Sequence, residues 1–391
     1  MPMNQFISPK QIYHGEGSLD KIELILEELN VEKVFLLTDA ILKELGVIDP
    51  LLAHFEKAQV EVEIFTGVVP EPSLETANAV LEAVRNSKAD LVVGTGGGSA
   101  LDLAKTAAAL AENEGHVEDY LNLTGKKTLK NKGLPKVLIP TTAGTGAEVT
   151  NIAVFSLEES KDVIAHNYLL ADYAIVDPAL TYSLPPKVTA ASGIDAFTHA
   201  LEAFTSVNAT PLTDTLAIDA MTRIAGSLRT AVWDGQDKKA REEMALGSLI
   251  AGLSFFNAGA AGVHALAYPI GGLFKVPHGE SNAVLLPYVY DFIWPACQDK
   301  MVKVAAIFGL PAEGKSKQEL ALGVVKSLRK LVEDVGVPTR LPEYGINEED
   351  IERLSVNGAA QKRLLARSPK ELDLNAIRTI YTNAYHGRLS S

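Results

Sequence analysis

The first half of the chain alternates short apolar runs with amphipathic stretches, and this alternation limits the possible folds more than any other feature. Val34-Phe35-Leu36-Leu37-Thr38, residues 89–95, residues 136–140 and Ala174-Ile175-Val176-Asp177-Pro178 read as buried strands, and residues 60–65 alternate as an edge strand does. Helical stretches at residues 74–85 and 100–111 lie between them. Strands separated by helices imply a parallel sheet covered on both faces. The pattern then stops. Ser183-Leu184-Pro185-Pro186 breaks the chain, and the following residues read almost entirely as helix: 187–204, 211–232, 238–255, 282–307, 317–335 and 374–385. The expected organisation is an α/β domain over residues 1–184 and an all-α domain over 185–391.

Composition narrows the function. With 391 residues, 47% of them hydrophobic and 22% charged, the chain is long enough for two folded cores. A net charge of −13 disfavours nucleic acid, which needs clustered Lys and Arg. The one basic cluster, Lys126, Lys127, Lys130, Lys132 and Lys136, reads as a solvated loop. The single cysteine, Cys297, excludes an intramolecular disulfide and suits a reducing compartment. No signal peptide or membrane-length apolar run is visible, so a cytoplasmic protein is expected.

Two glycine-containing turns follow strands. Residues 89–95 run into Gly96-Gly97-Gly98-Ser99 and then a helix, with Ser99 as a candidate N-cap and Asp102 three residues on. Glycine lets a pyrophosphate approach the backbone, and a helix N-terminus offers free N–H groups to it. The alternative is a plain tight turn, since the pattern is not G-x-G-x-x-G. Thr141-Thr142-Ala143-Gly144-Thr145 leaves a second strand. Both turns at strand C-terminal ends would face one crevice. Asp39 ends the strand 34–38; a carboxylate there accepts hydrogen bonds from a ribose and repels a 2′-phosphate, or else caps a helix. The first of these favours NAD(H) over NADP(H).

In the helical half, Asp195 and His199 are four residues apart, so they share one helix face. His264 and His278 follow in apolar, glycine-rich sequence. One carboxylate and three imidazoles suit Fe(II) or Zn(II). A hydrogen-bonded core histidine is the plainer alternative for each residue taken alone.

Together these residues resemble the iron-containing (group III) alcohol dehydrogenases along nearly the whole chain. The shared stretches are Gly96-Gly97-Gly98-Ser99 with Asp102 and Lys105, Pro140 to Thr145, Ala174 to Pro178, Gly193-Ile194-Asp195-Ala196-Phe197-Thr198-His199-Ala200-Leu201-Glu202, His264-Ala265-Leu266-Ala267 and Pro277-His278-Gly279. The resemblance implies that residues 1–184 form a Rossmann-like nucleotide-binding domain and 185–391 an all-α metal- and substrate-binding domain, with metal ligands Asp195, His199, His264 and His278, Fe2+ favoured and Zn2+ open. It implies Gly97, Gly98, Ser99 and Asp102 at the cofactor pyrophosphate, Thr141, Thr142 and Thr145 along the nucleotide, and Asp39 at the adenosine ribose. Lys161, Leu180 and Ser73 would lie near the cofactor and Phe255 at the substrate and nicotinamide pocket.

Two positions depart from the family pattern. Tyr268 stands where many members carry a histidine, as pocket wall or proton relay, and Glu280 follows the last ligand where small apolar residues are usual. The implied activity is metal-assisted hydride transfer between NAD(H) and a small alcohol, aldehyde or oxo acid, in a homodimer or larger oligomer. A dehydroquinate synthase-like lyase using NAD transiently, and a non-catalytic metal and nucleotide binder, are the alternatives.

Overall fold

The computed structural model describes residues 4–157 and 161–390. Two compact units emerge. One comprises residues 8–183; the other comprises 184–390 together with residues 4–7 at the N-terminus. Ile7 explains that last attachment, because its N–H donates to the Asn257 side chain at 2.7 Å and its carbonyl accepts from the Asn257 amide at 2.9 Å.

The first unit carries eight strands among its described residues: β1 (Gln11–His14), β2 (Lys33–Leu37), β3 (Glu61–Phe65), β4 (Leu91–Gly96), β5 (Lys136–Pro140), β6 (Ile152–Ser156), β7 (Lys161–Ala165) and β8 (Tyr173–Val176). Its helices are α1 (Lys21–Glu28), α2 (Ala40–Glu44), α3 (Asp49–Lys57), α4 (Leu74–Ser87) and α5 (Gly98–Leu110). Six strands form one sheet in the order β1-β8-β5-β4-β2-β3, and every pairing in it is parallel. Residues 61–65 do form the edge strand that their alternation indicates. β4, β5 and β8 are buried throughout, as parallel strands covered on both faces must be. β6 and β7 pair as a separate antiparallel ribbon. The chain direction across the sheet reverses between β2 and β4, and in open parallel sheets ligands bind beyond the strand C-termini at such a point.

The second unit is helical: α6 (Pro186–Thr205), α7 (Pro211–Trp233), α8 (Lys238–Ala258), α9 (Gly262–Phe274), α10 (His278–Ile293), α11 (Gln298–Ile307), α12 (Lys317–Asp334), α13 (Ile351–Ala359), α14 (Lys362–Leu365) and α15 (Leu374–His386). α6 starts with Pro186 in its first turn, where a missing N–H costs nothing. From Gly193 to Thr205 it is buried all round, so it is the central helix. Gly193 permits this: a Cβ there would come within 2.3 Å of Leu228 on α7 and 2.8 Å of Met244 on α8. The continuous helix expected over 282–307 is instead α10 and α11, separated by a short turn containing Pro295. No single helix among the described residues is long and apolar enough to cross a membrane; α8 and α9 together pass that test but bend by 104° between them.

Candidate functional site

In the first unit, four segments meet at the C-terminal edge of the sheet. The turn after β4 makes its bend with Gly96 at φ 145°, a backbone conformation that favours glycine, and α5 begins immediately. Its N-cap is Gly97 rather than Ser99. The helix starts earlier than the capping pattern suggested, and Ser99 lies inside the first turn. There its Oγ accepts the Glu71 N–H at 3.1 Å. Gly98 packs against the second turn, since a Cβ on it would lie 2.8 Å from Thr145 Cγ2. Gly97 faces only Thr142, 3.7 Å away, so the space above it is open. Thr141 is buried and donates its N–H to the Gly96 carbonyl, locking the two turns together.

Asp39 lies at the same edge. One carboxylate oxygen caps α2 by accepting the Leu42 N–H at 2.9 Å, and the other points toward Gly96. Asp102 faces inward instead, accepting from Lys105 at 2.9 Å and from the Val154 N–H at 2.9 Å. Burial raises its pKa, with Lys105 and the Val154 N–H working against that. Lys161, on β7, pairs with Glu71 at 2.9 Å, which brings it over the turn holding Ser99. Ser73 caps α4 by accepting the Thr76 N–H. Leu180 is packed in the core beside the end of β8. The basic cluster is not uniformly solvated: Lys136 is fully buried at the start of β5.

In the second unit, α6, α9 and α10 bring the four expected ligands together. Asp195, His199 and His264 offer ligand atoms that all lie within 4.8 Å of one another. His278 joins them through its Nε2, 3.7 Å from Asp195 Oδ1, while His264 Nε2 lies 3.6 Å from the same oxygen. Gly279 makes the approach of α10 possible, because a Cβ there would meet the Ala191 carbonyl of α6 at 2.4 Å. His264 reaches the cluster because α9 turns sharply away from α8 at Gly259, which has φ 92°.

Burial alone would push the Asp195 carboxyl up. The three surrounding histidines more than reverse this and hold it well below the usual carboxylate range. Burial likewise opposes charge on His264, yet its bonds to Asp195 and Glu202 lift it to about 9. A buried carboxylate with imidazole nitrogens gathered around it is a donor set that suits a divalent metal such as Fe(II) or Zn(II).

Two residues of this centre escaped the sequence reading. Glu202 accepts from His264 Nδ1 at 2.6 Å, and Asn282 donates its amide N–H to Asp195 at 2.7 Å. Helical spacing carried a signal for both: Asp195, His199 and Glu202 follow an i, i+4, i+7 pattern, and Asn282 is four residues past His278.

Phe255 stacks on His199 with ring centres 4.1 Å apart. Tyr268 lies with its ring 5.9 Å from that of His278. Both pack with Ala260, Ala265, Leu364 and Leu365 in one apolar cluster. Glu280 faces away from this wall, pairing with Lys187 at 3.2 Å.

Comparison with known proteins agrees with this geometry. Residues 9–178 match the model of the iron-containing alcohol dehydrogenases, and residues 189–385 match the C-terminal part of the Fe-containing alcohol dehydrogenase family. The chain is 51% identical over 389 residues to long-chain-alcohol dehydrogenase 1 of Geobacillus thermodenitrificans, covering 100% of this chain and 98% of that one. It is 37% identical over 352 residues to 1,3-propanediol dehydrogenase of Citrobacter freundii, covering 89% and 90%. The solved structure of a 1,3-propanediol oxidoreductase superimposes with a TM-score of 0.94 at 34% identity, covering 98% of this chain and 100% of that one. The chain belongs to the iron-containing alcohol dehydrogenase family. It is an oxidoreductase that interconverts alcohols and carbonyl compounds.

Proposed function

We propose that this enzyme is an NAD(H)-linked, iron-dependent dehydrogenase of primary alcohols with extended alkyl chains, acting equally as an aldehyde reductase. The observation that carries the reading is the convergence of Asp195, His199, His264 and His278 beside an apolar wall of Phe255, Tyr268, Leu364 and Leu365. The likeness to a long-chain-alcohol dehydrogenase supports the substrate class.

Those four residues would hold the metal, which supplies Lewis acidity toward the substrate oxygen while the dinucleotide supplies or accepts hydride. The chain does the rest. Phe255 and Tyr268 shape the substrate's path and exclude water, and Tyr268 acts as wall because its ring packs among aliphatic side chains. The turn at Gly97 and Gly98, with Thr141, Thr142 and Thr145, receives the pyrophosphate, flanked by Ser99 and Lys161, while Asp102 braces α5 from within through Lys105 and the Val154 N–H. Ser73 lies on a turn close to the cofactor, and Leu180 borders the adenine end. The carboxylate oxygen that Asp39 turns toward Gly96 disfavours a 2′-phosphate and so selects NAD(H). A buried, unpaired Cys297 suits a cytoplasmic enzyme, and assembly into a dimer or larger oligomer is the expectation that sedimentation would check.

A series of straight-chain aldehydes tests the substrate class. Each methylene buried along the wall is worth roughly 0.8 kcal/mol, so kcat/KM should rise about fourfold per carbon until the wall is filled. A flat or falling series, or a preference for diols, would count against the long-chain assignment.

A further inference from the structure

Glu202 is 2% exposed, and no lysine or arginine pairs with it among the described residues. Its charge is answered by three N–H groups instead. The Ala261 N–H donates to it at 3.0 Å, the Val263 N–H at 2.5 Å and His264 Nδ1 at 2.6 Å. The two backbone donors belong to the start of α9, whose N-cap, Ala261, has no side chain able to cap it. Capping alone would be served by a neutral acceptor, and burying a full negative charge is costly. The third contact accounts for the charge. A carboxylate only accepts, so His264 Nδ1 must carry the proton. Nε2, the nitrogen that faces Asp195, is then the one left to ligate.

We propose that Glu202 is a positioning residue for the metal. It fixes the ligating nitrogen of His264 and ties that ring to the start of α9. This rests on the ligand set assigned under the proposed function. The carboxylate also adds electron density to the imidazole, which strengthens it as a donor.

Glu202→Gln, compared with and without His264, separates positioning from mere capping. Its amide either keeps its oxygen toward Ala261 and His264, losing the charge and setting its NH2 against the Val263 N–H, or keeps its oxygen toward Val263 and turns its NH2 to Nδ1, which drives the proton onto Nε2. Both weaken the metal site while leaving the side chain's shape intact. Binding of Co(II), measured against a chromophoric chelator, should weaken about 10- to 100-fold in this variant. In a His264→Ala background the same change should have no further effect. Wild-type protein loaded with Co(II) should also show a shifted His264 Nδ1–H proton resonance that exchanges slowly with D2O.

The outcomes are separable. If His264→Ala binds Co(II) as tightly as wild type, the ligand assignment fails whatever Glu202 does. If His264→Ala weakens binding but Glu202→Gln does not, the positioning role is overturned. It is equally overturned if Glu202→Gln weakens binding to the same degree without His264. Should Glu202→Gln not fold, the wild-type spectrum decides: a missing or rapidly exchanging Nδ1–H refutes the proposal.

Discussion

Replacing Gly97 with alanine tests the nucleotide site without disturbing the fold that carries it. Gly97 has φ −75° and ψ 179°, which any residue adopts, so no backbone strain results. The added Cβ would meet only Thr142, at 3.7 Å to Cγ2 and 3.9 Å to Oγ1, which is ordinary contact. Alanine is a poorer N-cap than glycine, but it also restricts the unfolded chain. These opposing effects leave the stability within about 1 kcal/mol of wild type. The methyl group does enter the open space beside the N-terminus of α5, where the pyrophosphate is proposed to sit. Displacing it should cost at least about 1.4 kcal/mol, a tenfold or greater rise in the Kd for NADH. Gly98→Ala provides the contrast: its Cβ would lie 2.8 Å from Thr145 Cγ2 and 2.9 Å from Oγ1. Overpacking of that kind costs about 1–3 kcal/mol, so stability and binding should fall together. NADH fluorescence titration and thermal melting measure both variants. If Gly97→Ala keeps wild-type affinity and stability, the pyrophosphate does not rest on this turn and the reasoning is wrong.

Other predictions address single groups. Asp39→Gly should raise the NADPH to NADH ratio of kcat/KM at a small cost to α2, whose cap it removes; an unchanged ratio would leave Asp39 as a cap only. Burial raises Glu148 to about 7 from an ordinary 4.5, against the pull of its own backbone N–H and Lys105. The fold therefore favours the protonated form: its contribution is whole below about pH 4.5 and is lost as pH rises through 7. Glu148→Gln should thus gain melting temperature relative to wild type as pH is raised from 5 to about 8, and a pH-independent difference would contradict this. Burial pushes the Cys297 thiol up to about 12, so a thiol reagent should leave the native protein unmodified at pH about 8 and label it once on unfolding.

Much of the architecture was legible because its signals are local. β2, β4, β5 and β8 are apolar runs bounded by turn residues, and α6, α7, α8 and α12 begin within a residue of where proline, charge and periodicity put them. What escaped depended on partners distant in sequence. β1 is three half-buried residues and an exposed one that become a strand only by pairing with β8, well over a hundred residues later. α9 contains Pro269, Gly271 and Gly272, poor helix formers that packing against α10 and α13 overrides. The proposed ligand set came from the Asp195–His199 spacing and the family motifs, and the structure gathers its side chains in one place. Glu202 was overlooked although it stood in the quoted motif, because a glutamate near a helix C-terminus reads as solvated until the N–H groups of α9 are seen around it. Asp102 reads as a phosphate neighbour in sequence, yet in the structure its carboxylate is committed to Lys105 and Val154.

The most direct measurement is NADH oxidation with a long-chain aldehyde by protein stripped of metal and then reconstituted anaerobically with Fe(II). The account predicts no turnover by the stripped protein, restoration with one Fe(II) per chain, and no restoration in His278→Ala. Turnover that survives complete metal removal, or full activity and metal content in His278→Ala, would contradict it.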